Sequence, residues 1–312
     1  MFTVKDLCVF YTYNKEKHYI LKDISFSLEQ GDCLGIIGKS GDGKSTLAKS
    51  LLKLFDPNIT FEKGTIELNN KEVSLKDRGT KISLLFQNPN SYLNPLMKIG
   101  AQISEMLIYH NKDKKDIAKE KSLKFMKEVG IENAEYVYNL YPHELSGGMQ
   151  QRLCLCMTLI CKPQILILDE CTSFLDKKSQ EIILNIIKKL QKEYKFTIIL
   201  ISHDFNEISF ICNKIAIIKK GQIVEFGEIN EVINSPLHPY TMEIFYDYLR
   251  YYKNIEYIDF THENSDDYIK YISKTHFVKS IKETNINYEH NYSLIKEQLY
   301  ETIRNKQPKH LL

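Results

Sequence analysis

The stretch Gly38-Lys39-Ser40-Gly41-Asp42-Gly43-Lys44-Ser45-Thr46 decides how the rest of the chain is read. It follows the apolar run Leu34 to Ile37 and leads into Thr46 to Phe55, where apolar residues recur at helical spacing. A strand, a glycine loop and a helix in that order, spaced G-x-x-x-x-G-K-[ST], make a phosphate cradle. The glycines let successive backbone N–H groups turn inward, and the helix N-terminus adds its partial positive charge. In such a loop Lys44 reaches the β- and γ-phosphates and Ser45 is a ligand for Mg²⁺. The stretch Gly38 to Thr46 therefore predicts nucleotide binding.

Composition sets the outer limits. A chain of 312 residues has room for one large domain plus a lobe or tail. Its 42 basic and 40 acidic residues leave a formal charge of +2, so no whole-chain field argues for nucleic acid or anionic lipid. Seven cysteines show no C-x-x-C spacing, and Cys154, Cys156 and Cys161 fall in an apolar helical stretch. They read as reduced core residues of a cytosolic protein, not as a disulfide frame or a zinc site. Met1 to Asp6 lacks the charged-then-apolar layout of a signal peptide, and no export is expected. The apolar run Leu153 to Leu168, broken by Lys162-Pro163, is too short to cross a bilayer. Any membrane role is expected to run through a partner.

From the glycine loop outward, Val4 to Phe10, Ile20 to Leu28 and Cys33 to Ile37 predict a small antiparallel β layer feeding the cradle. Tyr11 or Tyr13, at the end of the first strand, is positioned to stack on an adenine ring or to be an ordinary half-buried strand tyrosine. Gly64 to Leu68 and Lys81 to Phe86 predict further strands, the second ending at Gln87. From Met97 to Tyr141 the periodicity becomes helical, in Ile99, Ile103, Met106 and Leu107 and again in Ile117, Leu123, Phe125, Met126 and Val129, which predicts an inserted helical lobe. Leu145-Ser146-Gly147-Gly148-Met149 then opens a helix reaching about Ile160. Ser146 suits its N-cap, and the two glycines leave amides open to an anion, although the same residues also suit a plain capped helix start.

Ile165-Leu166-Ile167-Leu168-Asp169-Glu170 reads as a buried strand whose two acids emerge at its carboxyl end, the edge on which the glycine loop also opens. Asp169 is placed to organise Mg²⁺ and Glu170 to polarise an attacking water. Ser173-Phe174-Leu175-Asp176 begins a helix through Leu190, and the strand Phe196 to Ile201 ends in Ser202-His203-Asp204. His203 there is either a contact to a γ-phosphate or a solvated histidine. Strands at Lys214 to Ile218 and Gln222 to Phe226 complete a domain that ends near residue 235.

Six motifs in this order closely resemble the ATP-binding subunit of an ABC transporter: Walker A (Gly38 to Ser45), the Q-loop Gln87, the signature Leu145 to Met149, Walker B (Ile165 to Asp169) with Glu170, the D-loop ending at Asp176, and the switch His203. The resemblance covers about 1–235 and selects Tyr11 as the adenine-stacking aromatic. It implies an α/β P-loop NTPase core (1–235) with an antiparallel β subdomain, an inserted α-helical subdomain (88–141) and a C-terminal appendage (236–312). Phe86-Gln87-Asn88-Pro89, Tyr141-Pro142-His143-Glu144 and, most of all, Leu237-His238-Pro239-Tyr240-Thr241 are similar to the oligopeptide, dipeptide and nickel importer group. Thr275-His276-Phe277-Val278 is faintly similar to the tails of those subunits, but the cysteines common there are missing, so no tail iron–sulfur site is expected. Met149 stands where many relatives have Gln, Cys171 where Pro is usual, and Phe174 where a small residue is usual beside the D-loop.

What the resemblance implies is ATP hydrolysis in a head-to-tail dimer. Lys44, Ser45 and the loop amides would hold the triphosphate, Ser45, Gln87 and Asp169 would surround Mg²⁺, Glu170 would activate water and His203 would sense the γ-phosphate. Ser146 and Gly148 of the facing subunit would close the phosphate shell, and Asp176 would link the two sites. The implied partners are two transmembrane permeases, a sister ATPase or a second copy, and an extracytoplasmic solute-binding protein, with no nucleic acid. The implied location is the cytoplasmic face of the membrane, and the implied cargo is peptide, nickel or a metal chelate. A soluble ABC-type ATPase of DNA repair or translation is the alternative; those usually carry a long coiled-coil insertion or two cassettes. The tail from Tyr252, balanced in charge and with Ile295, Leu299 and Ile303 at helical spacing, reads as a regulatory or packing appendage.

Overall fold

The computed structural model describes residues 1–86, 92–253, 268–271 and 277–280. Gln87, Thr275-His276 and the helical spacing at Ile295, Leu299 and Ile303 lie outside the described residues. The strands are β1 (Phe2–Tyr13), β2 (Glu16–Leu28), β3 (Cys33–Ile37), β4 (Ile59–Leu68), β5 (Lys71–Glu72), β6 (Ile82–Leu85), β7 (Ile165–Asp169), β8 (Thr197–Ile201), β9 (Lys214–Lys219), β10 (Gln222–Glu228), β11 (Tyr268–Tyr271) and β12 (Phe277–Ser280). The helices are α1 (Lys44–Leu51), α2 (Ile99–Met106), α3 (Lys115–Glu128), α4 (Ala134–Val137), α5 (Gly147–Leu159), α6 (Lys177–Tyr194), α7 (Phe205–Ile211), α8 (Ile229–Asn234) and α9 (Pro239–Lys253).

The strands form two sheets. One is antiparallel, in the order β2-β1-β4-β5, and the other runs β11-β12-β10-β9-β3-β8-β7-β6. Within the larger sheet β6, β7, β8, β3 and β9 are all parallel, while β10, β12 and β11 continue it antiparallel. Residues alternate faces along a strand, so the near-continuous Ile and Leu runs of the parallel strands feed two cores at once. Leu34, Ile36, Ile82, Leu84, Ile165, Ile167, Ile199 and Ile201 pack toward α1 and the antiparallel sheet. Their neighbours Leu85, Leu166, Leu168, Ile198 and Leu200 pack toward the helical side with α2, α3, α5 and α7. Because every parallel strand is covered on both faces, polar side chains can emerge only at strand ends.

Two details differ from the sequence reading. Helix α1 stops at Leu51, not Phe55: Lys53 turns left-handed at φ 56°, and the Arg78 guanidinium caps the carbonyls of Leu52 (2.8 Å) and Lys53 (2.7 Å). On α3, Ile117 faces solvent while the small residues Ala118 and Ser122 turn inward. The reason is close approach, since Ser122 Oγ lies 3.1 Å from Ser104 Oγ of α2 and donates to the Ala118 carbonyl at 2.6 Å.

The segment after α8 is fastened to the sheet by one buried carboxylate. Glu225 of β10 accepts from the backbone of Leu237 (3.0 Å) and His238 (3.0 Å) and from Thr241 Oγ (2.5 Å). The His238 imidazole in turn accepts the Tyr240 amide at 3.0 Å. Removing the carboxylate strands buried donors. We expect Glu225→Ala to lower unfolding stability by about 2–4 kcal/mol, measured by chemical denaturation. A loss below about 0.5 kcal/mol, the usual range for inert surface changes, would contradict this account.

Candidate functional site

The loop between β3 and α1 sits where the motif put it, and its glycines are there for measurable reasons. Gly43 has φ 94°, and a Cβ on it would stand 2.8 Å from the Ile20 carbonyl of β2. A Cβ on Gly38 would meet the Ile218 carbonyl at 2.4 Å. Gly43 is the N-cap of α1 and offers no side chain to it, so the first amides of that helix face the loop with no side-chain cap. Lys44 is 8% exposed, and its amine donates to the carbonyls of Gly38 and Lys39, both at 2.8 Å. Burial pulls its pKa below the usual lysine range, opposed by the charges of Asp42, Glu170 and Asp169.

The carboxyl ends of β7 and β8 bring the acids to this loop. Ser45 Oγ donates to Asp169 Oδ1 at 3.2 Å, joining residues 124 positions apart. Asp169 is 6% exposed, and desolvation raises its pKa; the Ser45 bond and the Lys44 charge pull the other way. Next to it Glu170 is left-handed at φ 47°, a region that side chains other than glycine enter at some cost and that clusters at functional sites. The turn is held by the Glu170 amide donating to Ile201 O (3.0 Å) and by Ser173 Oγ donating to Glu170 O (2.9 Å). His203, at the end of β8, brings Nδ1 to 3.8 Å from Glu170 Oε1, too far for a hydrogen bond. A hydroxyl and a carboxylate at this separation are hard oxygen donors of the kind Mg²⁺ takes beside phosphates and water.

The other sequence candidates are spread around this centre. Tyr11 stacks on His18 across the β1–β2 hairpin (5.2 Å between centroids, 21°), while Tyr13 is tilted to the same ring. The hairpin approaches the loop through Ile20, whose carbonyl faces Gly43 and Gly221. Ser146 caps α5 by accepting from the Met149 amide at 3.4 Å, and nothing crowds the Gly147 Cα. Leu145 is buried, and Gly148 faces Ser179 of α6. Asp176 caps α6 through Ser179 (amide 3.0 Å, hydroxyl 2.7 Å), and that hydroxyl bond is the main reason its pKa is held down. No hydrogen bond or ion pair among the described residues joins 145–149 or Asp176 to the glycine loop. Cys171 is buried and Phe174 is 72% exposed.

Sequence reasoning missed the connecting side chains. Buried Glu207 of α7 accepts from Thr172, Gln180 and Ser202 (2.7 Å for the last), tying the segment after β7, the start of α6 and the end of β8 together. Gln151 of α5 donates to the Cys171 carbonyl. Tyr92 clamps the end of β6, donating to Leu84 O and accepting from the Phe86 amide at 2.9 Å. Only their polarity within apolar surroundings could have marked them.

A glycine-loop NTPase core with a helical lobe and an antiparallel layer defines an ATP-binding cassette, and the comparisons carry that further. The family model described as "ABC transporter" matches residues 21–173. The oligopeptide transport ATP-binding protein AmiE of Streptococcus pneumoniae is 36% identical over 250 residues, 78% of this chain and 70% of that protein. OppD of Bacillus subtilis is 40% identical over 76% of this chain and 69% of its own length, and OppD of Escherichia coli 37% over 78% and 74%. Among solved structures, the dimeric ATP-binding cassette MJ0796 bound to ADP and Pi matches with a TM-score of 0.65 at 27% identity, over 73% of this chain and 99% of that one. The chain belongs to the ABC transporter family of ATP-binding proteins, within the oligopeptide and dipeptide transport group. It is an ABC-type ATPase, and ATP is its nucleotide.

The raised Asp169 pKa has a sign that can be tested. With the folded value above the ordinary aspartate value of 3.8, the native state holds this proton longer than the unfolded state, so ionisation on raising the pH costs stability. In nucleotide-free protein we expect Asp169→Asn to be more stable than the native chain at pH 7. The difference should close as the pH falls through the window just above 3.8. Parallel denaturation curves at several pH values check this, and a pH-independent difference would contradict it.

Proposed function

We propose that this chain hydrolyses ATP in a head-to-tail dimer and so drives uptake of peptides through partner permeases. The observation that carries the reading is the Ser45–Asp169 contact at 3.2 Å, with Glu170 turned left-handed beside it and His203 within 3.8 Å. That arrangement sets a phosphate cradle, two carboxylates and an imidazole on one edge of a buried sheet. Lys44, now spent on two loop carbonyls, would exchange them for β- and γ-phosphate oxygens. Glu170 would accept a proton from the attacking water, and His203 would donate to the γ-phosphate.

Ser45 and Asp169 would hold Mg²⁺, with Gln87 as the further ligand implied by the motif. When bound, the ion neutralises charge building on the phosphoryl oxygens. The adenine would stack on Tyr11. The signature Leu145 to Met149 would act on the nucleotide of the facing subunit, a reading supported by the open space around Gly147. Asp176 would link the two sites across that interface.

Peptide transport is supported by the relatives, whose names record oligopeptide and dipeptide transport, and uptake is the direction implied by the resemblance carried by Leu237-His238-Pro239-Tyr240-Thr241. Among the described residues no helix is long and apolar enough to cross a membrane. The path for cargo would be two permease chains, the partners that the family resemblance implies. The cassette would sit on their cytoplasmic side and pair with a sister ATPase or a second copy. A solute-binding protein would select the cargo, with nickel or a metal chelate as the other cargo classes.

Glu170→Gln is expected to retain MgATP binding, cut turnover by ~100-fold or more, and accumulate an ATP-dependent dimer on size exclusion; unchanged hydrolysis would remove Glu170 from the mechanism. Detergent extraction of the native complex should bring down permeases and a solute-binding protein, and peptide-loaded binding protein should raise ATPase activity. Recovery of ribosomal or DNA-repair proteins in their place would defeat the transport reading.

A further inference from the structure

The segment Leu237 to Asp247 reaches back to the glycine loop and makes bonds that nucleotide binding alone does not explain. Asp42, inside the loop, is 8% exposed and carries a fully engaged carboxylate. Its Oδ2 accepts from the Lys39 amide (2.7 Å) and from the Tyr240 hydroxyl (2.5 Å), and its Oδ1 accepts from the Lys220 amide (2.8 Å). The same Lys39 amide also donates to the Tyr240 oxygen at 3.1 Å. Tyr240 is 4% exposed, sits at the start of α9, and is 198 residues from Asp42 in the chain.

The surroundings fix this tyrosine from both sides. Below it, Glu225 and His238 hold the start of α9 to β10. Above it, the Lys39 amine pairs with Glu243 and, at 3.3 Å, with Asp247, while the Lys219 amine lies 4.9 Å from the Tyr240 ring centre. The hydroxyl is therefore delivered to Asp42 by a rigid mount. Burial, and then the Asp42 carboxylate, hold the phenol well above its usual range, so it remains a donor at any working pH.

Asp42 in turn governs the shape of the cradle. Its backbone amide donates to the Lys39 carbonyl at 3.2 Å, closing the turn whose carbonyl also receives the Lys44 amine. Gly41 and Gly43 flank it with φ of 89° and 94°, residues with no side-chain barrier to drifting elsewhere. A loop built to present amides to an anion loses affinity when those amides are free to reorient.

We propose that Tyr240 is a positioning residue for the phosphate loop, its hydroxyl setting the Asp42 carboxylate and thereby the Lys39–Gly43 turn, so that nucleotide affinity depends on a helix beyond the cassette. The inference rests on the reading of this loop as the ATP cradle. It gives α9 a role in the ATP site itself, not in packing alone.

The test uses the full chain and four variants: Lys44→Ala, Tyr240→Phe, Asp42→Asn and the Tyr240→Phe/Asp42→Asn double. MgATP affinity is measured by calorimetry and stability by thermal unfolding. Tyr240→Phe keeps the ring and removes the hydroxyl, which is both the donor to Asp42 and an acceptor for the Lys39 amide. It should weaken MgATP binding about 3- to 10-fold, as expected for part of a charge-assisted hydrogen bond, with little change in Tm. Asp42→Asn should weaken binding too, and the double variant should lose clearly less than the product of the two single losses, because both changes act on one connected hydrogen-bond set around the Lys39 amide. An affinity for Tyr240→Phe within twofold of the native chain, a fall in Tm without a change in affinity, or independent multiplication of the two losses would each overturn the proposal. If Lys44→Ala binds MgATP as tightly as the native chain, the reading of the loop fails, and the inference goes with it.

Discussion

A loop that offers its backbone amides to an anion cannot satisfy them within regular secondary structure, so its shape must be imposed from outside. In this chain the constraint is met by contacts from three directions. Strand β2 presses the Ile20 carbonyl against Gly43, the turn after β9 donates the Lys220 and Gly221 amides to Asp42, and Lys44 folds onto the carbonyls of the loop itself. The first two contacts come from different sheets, the antiparallel layer and the larger sheet, which share a core around α1. The two sheets are thus needed together: one supplies the strand on which the loop begins, the other a wall against which it closes.

The same edge concentrates charge in a dry setting, and the charges answer one another. Desolvation disfavours both Lys44 ammonium and Asp169 carboxylate, moving their pKa values in opposite directions, while each lessens the other's shift. A buried acid and a buried base so placed stabilise the native state poorly, and the Glu170 backbone adds strain beside them. These are costs carried by a region otherwise made of Ile and Leu with almost no exposure, and the covered parallel strands supply the apolar burial that offsets them.

What the sequence made legible was whatever is written locally. The strand, glycine loop and helix at 34–51 follow from a short pattern, and the acids at 169–170 follow from a buried run that ends in charge. The buried strand at 165–168 was readable because its run is too apolar to show alternation, the mark of two covered faces, whereas the fold around it came from the family resemblance. Less legible was anything set by the fit between elements. Ile117 suits a helix face by spacing, yet the close approach of α2 at Ser104 favours Ala118 and Ser122 inside. The Leu237-His238-Pro239-Tyr240-Thr241 segment stood out as a resemblance, but the partners of its polar atoms are Glu225 and Asp42, many residues away. Long-range pairing of single polar side chains leaves no period in a sequence, and that is why Glu207 and Gln151 also went unread.

Those two residues bear on how separate motifs act as one. Glu207 is a carboxylate at 4% exposure whose oxygens receive Thr172, Gln180 and Ser202, and a buried acid of this kind is tolerable only while every donor stays in place. The segment after Asp169-Glu170, the first turns of α6 behind Asp176, and the strand end before His203 are therefore held in a single arrangement. Gln151 extends that arrangement to α5, whose first turn carries Gly147 and Gly148, by donating to the carbonyl of Cys171. The helix that presents the signature thus bears on the strand end that presents the acids through one side chain and one backbone group. A shift of α5 cannot leave the turn at Glu170 untouched without breaking a buried hydrogen bond, and at about 1–3 kcal/mol for each group left unsatisfied, moving the two together is the cheaper path.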